Sequence, residues 1–90
     1  MKIVTICGAG IGSSGILKVN VERVLRTLDI QAEVVAADVA SVRAVSADAQ
    51  VILTSAEFVE AIGTTFAEVI VIENYFDTAE LRAKLSTALL

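Results

Sequence analysis

Lys2-Ile3-Val4-Thr5-Ile6-Cys7-Gly8-Ala9-Gly10-Ile11-Gly12-Ser13-Ser14 is the stretch that decides how this chain folds. The apolar run Lys2–Ile6 ends abruptly in a glycine loop, as a buried strand does where it meets a turn. Beyond the loop, Leu17, Val21, Val24, Leu25 and Leu28 recur at spacings of three and four. That period predicts a helix over about Ser14–Leu28 with one apolar face. Lys18, Glu22 and Arg26 fall on the other face at i,i+4 intervals, where opposite charges support one another. Strand, glycine loop and helix together open a parallel α/β unit.

The same alternation continues to the end of the chain. Glu33–Ala37 reads as a second strand, and Asp38 is placed to cap a short helix across about Val39–Val45. Gln50–Leu53 is a third strand, apolar after its first residue, as a strand covered on both faces should be. Thr54-Ser55-Ala56-Glu57 has the spacing of a capping box, with Thr54 accepting from a helix amide and Glu57 reaching back. That helix runs to about Ile62 and stops at Gly63. Glu68–Ile72 is the fourth strand. Asp77-Thr78-Ala79-Glu80 resembles a second capping arrangement, opening a last helix that buries Leu81, Leu85 and Leu89.

This order implies a three-layer, Rossmann-like α/β fold, a four-stranded parallel sheet with right-handed crossovers and helices on both faces. A strand order of 2-1-3-4 places the first strand centrally, at the topological switch point. Ligands of such sheets sit beyond the carboxyl ends of the strands near that point, and Cys7 lies there.

Ninety residues form a single domain, 1–90, and an apolar content of 56% supplies a packed core. Eleven acidic residues against seven basic ones give a formal charge of −4. No basic footprint suits a phosphate backbone, so nucleic acid is not expected as a partner, nor is an anionic membrane surface. Asp38, Arg43, Asp48, Glu57, Glu60 and Glu68 interrupt every candidate membrane span, and the apolar run at the start is too short for a signal peptide. A single cysteine cannot form an internal disulfide, and the chain is expected to be cytoplasmic. It contains no histidine, which excludes phosphohistidine and any Cys/His zinc site; no metal and no cofactor are expected. Proline, repeats and low-complexity segments are absent too.

The loop carries the chemistry. Glycines at 8, 10 and 12 permit positive φ and leave no β-carbons in the way of a close ligand. Running into a helix start, such a loop aims backbone amides at one spot and forms an anion cradle. Gly8, Ala9, Gly10, Ile11, Gly12, Ser13 and Ser14 are therefore the expected phosphate-binding residues, the two serines adding hydroxyl donors. The same field favours the thiolate of Cys7, the nucleophilic form, so Cys7 is the expected site of a phosphoryl group held as a thiophosphate. A lone apolar-flanked cysteine is also commonly a small buried hydrophobe; the alternating glycines and serines after it weigh toward function. Thr54 and Ser55 face the same edge and are candidate rim residues, although capping alone would explain them. Asn74 is a further rim candidate. Tyr75 and Phe76 either form a docking patch or close the core over the last helix. Lys18 reads as solvated surface.

Cys7-Gly8, Gly10, Gly12-Ser13-Ser14, then Lys18, Val21 and Leu25 resemble the IIB components of the bacterial phosphotransferase system for sugar uptake. The likeness is to the ascorbate-type branch and its lactose/cellobiose and galactitol relatives, with Ala9 and Ile11 departing from the polar residues often found in ascorbate-type loops. The resemblance implies that Cys7 takes a phosphoryl group from a phosphohistidine on a IIA protein and passes it to a sugar imported by a membrane IIC partner. Lack of histidine agrees with the cysteine-type IIB proteins and not with the mannose type. Three rivals remain open at this point. A cysteine-dependent phosphatase would end the loop with a phosphate-clamping arginine, yet no Arg precedes Arg23. A dinucleotide-binding domain would have a third glycine where Ser13 stands, although Asp38 falls at a suggestive place. A redox-sensing module would use Cys7 alone.

Overall fold

All four residues of a strand at Val51–Thr54 are buried, as are Ile3–Ile6, because helices cover both faces of the sheet they form. The computed structural model describes residues 1–6, 11–38, 41–45, 47–63, 65, 67–74 and 77–89, the side chains of 11–15, 43 and 45 apart. The elements are β1 (Lys2–Ile6), α1 (Ile11–Thr27), β2 (Glu33–Ala37), α2 (Val42–Val45), β3 (Val51–Thr54), a 3-10 turn (Ala56–Phe58), α3 (Val59–Ile62), β4 (Glu68–Val71) and α4 (Thr78–Leu89).

The sheet has the order β2-β1-β3-β4 with every pair parallel, as the alternation of elements predicts. Side chains alternate across it with period two and divide the core. Ile3, Val51, Leu53 and Ile70 pack with Leu17, Val21, Val24 and Leu25 of α1 and with Leu81 and Leu85 of α4. Val4, Ile6 and Ile52 turn the other way, onto Val42 of α2 and Ile62 of α3. Each fully buried Leu or Ile contributes roughly 1.5–3 kcal/mol relative to exposure. Leu89 is only partly buried at the end of α4.

Several boundaries differ from the sequence reading, each for a local reason. α1 begins at Ile11, three residues before Ser14, because its apolar period starts only at Leu17. Gly12 and Ser13 are tolerated there, since first-turn amides have no partner within the helix anyway. α1 ends in a Schellman turn: Ile30 N–H donates to Leu25 C=O at 2.9 Å, Asp29 N–H to Arg26 C=O at 3.2 Å, and Asp29 takes φ 56°. The expected Asp38 cap is present, its carboxylate accepting from Ser41 N–H at 2.8 Å. The short helix it precedes is Val42–Val45; Val39, where it was expected to start, lies outside the described residues.

The Thr54/Glu57 capping box does not form. β3 runs one residue further than expected, so Thr54 is its last residue, and Ser55 holds the N-cap position without a side-chain cap bond. The following helical segment stops at Gly63, as expected, where φ 70° and ψ −153° suit only glycine. Asp77 does cap α4, its Oδ1 accepting from Ala79 N–H at 3.0 Å and Glu80 N–H at 3.1 Å. Glu80 does not complete the box. Its two oxygens reach past the cap to Glu73 N–H at 2.9 Å and Asn74 N–H at 3.0 Å.

β4 is an edge strand. Glu68 and Ile72 N–H groups bond the carbonyls of Gln50 and Thr54, so Val69 and Val71 turn their backbone groups outward. Lys84 Nζ caps the outward carbonyl of Val71 at 2.6 Å while pairing with Glu80 at the same distance. A charged side chain over an edge carbonyl discourages another strand from adding there.

Candidate functional site

The carboxyl ends of all four strands meet at one level. Ile6, the last residue of β1, is in register with Ala37 on one side and Thr54 on the other, and Thr54 with Val71 beyond it. Ile72 N–H donates to Thr54 C=O at 2.7 Å, which extends the ladder one step past β4. β1 is thus flanked on both sides, with connections leaving toward opposite faces, and the residue that follows it is Cys7.

Residues 7–10, namely Cys7, Gly8, Ala9 and Gly10, lie outside the described residues, as do the side chains of Ile11, Ser13 and Ser14. The backbone resumes in helical form at Ile11 and stays so through Gly12, Ser13 and Ser14. Four residues therefore link the central strand to α1. No acidic residue stands in the first turn of α1, so no carboxylate of that turn offsets the helix's partial positive charge.

The expected rim residues are placed on the β3 and β4 sides. Thr54 is fully buried, its hydroxyl 3.4 Å from the Ser55 carbonyl. Ser55 is half-buried with extended backbone, and its hydroxyl lies 3.2 Å from a Glu57 carboxylate oxygen. Asn74 is exposed; its N–H is held by Glu80 and its carbonyl accepts from Asp77 N–H at 3.0 Å. Tyr75 and Phe76 lie outside the described residues. Lys18 is half-buried on α1.

Glu80 is the residue of this edge whose role the sequence did not announce. Burial pushes its carboxyl pKa up, but hydrogen bonds from Glu73 N–H, Lys84 and Asn74 N–H outweigh this and hold it below the ordinary glutamate value. It stays ionised and fixes the backbone of the β4–α4 connection beside Thr54's neighbour strand. Its capping spacing from Asp77 and its i,i+4 spacing to Lys84 are visible in the sequence, but neither points to the amides of residues 73 and 74. Among the described residues there is no group of three or more side chains that would hold a metal ion, and no helix long and apolar enough to cross a membrane.

Sheet order and chain sequence together define a class: a small parallel α/β domain in which the sequence Cys7-Gly8-Ala9-Gly10 stands between the central strand and the first helix. Residues 2–87 match the family described as the lactose/cellobiose-specific IIB subunit of the phosphotransferase system (PTS), and the chain belongs to that family. Among solved structures it is similar to the lactose-specific IIB component domain of the phosphoenolpyruvate:carbohydrate phosphotransferase system from Streptococcus pneumoniae. The two share 14% sequence identity at a TM-score of 0.65, over 99% of this chain and 94% of that one, a likeness of fold. No curated protein sequence matches it. The IIB resemblance read from the loop is thereby borne out at the level of family, and PTS phosphoryl transfer is the activity to which that family belongs.

Proposed function

We propose that this chain is a cytoplasmic phosphoryl relay that takes the group from a IIA phosphohistidine onto Cys7 and passes it to a sugar entering through a membrane IIC partner. The observation that carries this reading is the position of Ile6. It ends the central strand of a 2-1-3-4 sheet, so the next residue in the chain, Cys7, starts at the switch point where such sheets bind ligands. Membership of the PTS IIB family supports a relay over a phosphatase, a dinucleotide-binding domain or a redox module.

In the first step the Cys7 thiolate attacks phosphorus in line; an S–P bond forms as the N–P bond breaks. The imidazole nitrogen keeps the bond pair and gains a proton, matching the one the thiol lost. Gly8, Ala9, Gly10, Ile11, Gly12, Ser13 and Ser14 cradle the equatorial oxygens with amides and hydroxyls. In the second step a sugar hydroxyl attacks phosphorus, its proton is released, and the S–P bond breaks to restore the thiolate. Thr54 and Ser55 border the site from β3, Ser55 as the accessible hydroxyl and Thr54 as the buried residue beneath it; Asn74 borders it from β4. With no arginine between Met1 and Arg23, water gains no bidentate clamp for attack, so the phosphorylated state persists until the acceptor arrives.

The loop's likeness supports an ascorbate-type acceptor within the broader lactose/cellobiose family. Labelled phosphate supplied on a IIA protein should appear on this chain in a linkage with the acid and base stability of an S–P bond, and should then leave onto a sugar when IIC-containing membranes are added. Ascorbate, lactose and cellobiose offered in parallel distinguish the acceptors. Rapid turnover of p-nitrophenyl phosphate without any partner would instead establish a phosphatase.

A further inference from the structure

The helix pair α1/α4 borders an open groove of about 430 Å³, lined by Arg23, Val24, Thr27, Thr78, Ala79 and Arg82. Val24 is buried and forms an apolar floor, while Arg23, Thr27, Thr78 and Arg82 are exposed around it. Arg23 comes from α1 and Arg82 from α4, so each helix contributes an arginine to the lining. The exposed Arg26 stands one turn further along α1.

The charge here runs against that of the whole protein. The chain carries −4, and two of its cations are committed elsewhere, Lys2 to Asp48 at 2.8 Å and Lys84 to Glu80. Among the described residues, Arg23, Arg26 and Arg82 make no ion pair. The N-terminal amides of α4 are not the source of the groove's positive character, since Asp77 already occupies those of Ala79 and Glu80.

We propose that this groove docks an acidic segment of a partner protein, with carboxylates on Arg23 and Arg82 and an apolar side chain against Val24. Arginine suits the role because its planar fork pairs with a carboxylate in two parallel hydrogen bonds. An acidic, partly apolar peptide matches both the charge and the floor, whereas a small anion would leave the floor unused. None of the lining residues belongs to the stretch from Cys7 to Ser14, and a Cys7→Ser protein should bind the segment as the wild type does.

The full chain, labelled with 15N, would be titrated with an acetylated and amidated peptide of alternating glutamate and leucine. Saturable amide shifts are expected around Arg23, Thr27, Ala79 and Arg82, weakening with salt. The double variant Arg23→Gln/Arg82→Gln should bind roughly tenfold less tightly, as loss of two exposed ion pairs implies. Lys18→Gln, which removes a charge nearer the start of the same helix, should bind normally. Shifts centred elsewhere, or equal binding by the double variant, would overturn the proposal. So would the same shifts at the same affinity with inorganic phosphate alone, or a concentration-dependent self-association that produced them without peptide.

Discussion

Thr54 stands directly across from Ile6 in the parallel register of β3 and β1, so the buried end of one strand flanks the residue from which the Cys7 loop departs. The two side chains share a face of the sheet, the one that packs on α2 and α3, and among the described residues the Thr54 hydroxyl bonds the Ser55 carbonyl, at 3.4 Å. If Thr54 borders the proposed site, its burial makes it a wall there rather than a donor. Thr54→Val keeps the shape and gives up a long hydrogen bond. Its unfolding free energy should lie within about 1 kcal/mol of the wild type. Phosphorylation of Cys7 should proceed within a few-fold of the normal rate, and a large loss of rate would make the hydroxyl part of the transfer.

Asp29 ends α1 in the left-handed region at φ 56°, a conformation that a β-carbon disfavours. Asp29→Gly removes that penalty while leaving the Leu25–Ile30 closure of the Schellman turn in place. The variant should be more stable by about 0.5–1 kcal/mol in denaturant titration. Destabilisation would mean that the Asp29 side chain does more than occupy the turn.

Glu80 links stability to pH. Its folded pKa is lowered despite burial, because Glu73 N–H, Lys84 and Asn74 N–H all bond the ionised form. A depressed carboxyl pKa contributes stability that is fully present above the unfolded value near 4.5 and is lost as pH falls through the folded one. Glu80→Gln should cost about 1–2 kcal/mol at neutral pH, and the gap to the wild type should shrink as the solution is acidified below pH 4.5. A gap that stays constant down to strong acid would contradict this assignment.

The strands were legible in the sequence because each is a short apolar run bounded by breakers, and the alternation with helices left a parallel sheet as the natural topology. Gly63 announced a helix end, and Asp38 and Asp77 announced helix starts, since those signals act over a few residues. What failed were readings that depend on three-dimensional placement. The Thr54/Glu57 spacing fits a capping box, yet pairing with Ile6 and Val71 draws Thr54 into β3 instead. Glu80 has capping spacing as well, but the loop at residues 73–74 offers its carboxylate better-placed amides. The Arg23–Arg82 groove has no local signature, because its two arginines lie far apart in the chain. The stretch from Cys7 to Ser14 is the reverse case: its glycine and serine pattern marks a candidate site in sequence, while residues 7–10 lie outside the described residues.

The most direct test is intact-mass and peptide-mapping spectrometry after incubation with a phosphorylated IIA protein. One phosphoryl group should appear on the wild type, map to the peptide bearing Cys7, and be absent from Cys7→Ser and Cys7→Ala proteins that remain folded. A phosphoryl group that still forms on either variant, or that maps to another residue of the wild type, would contradict the account.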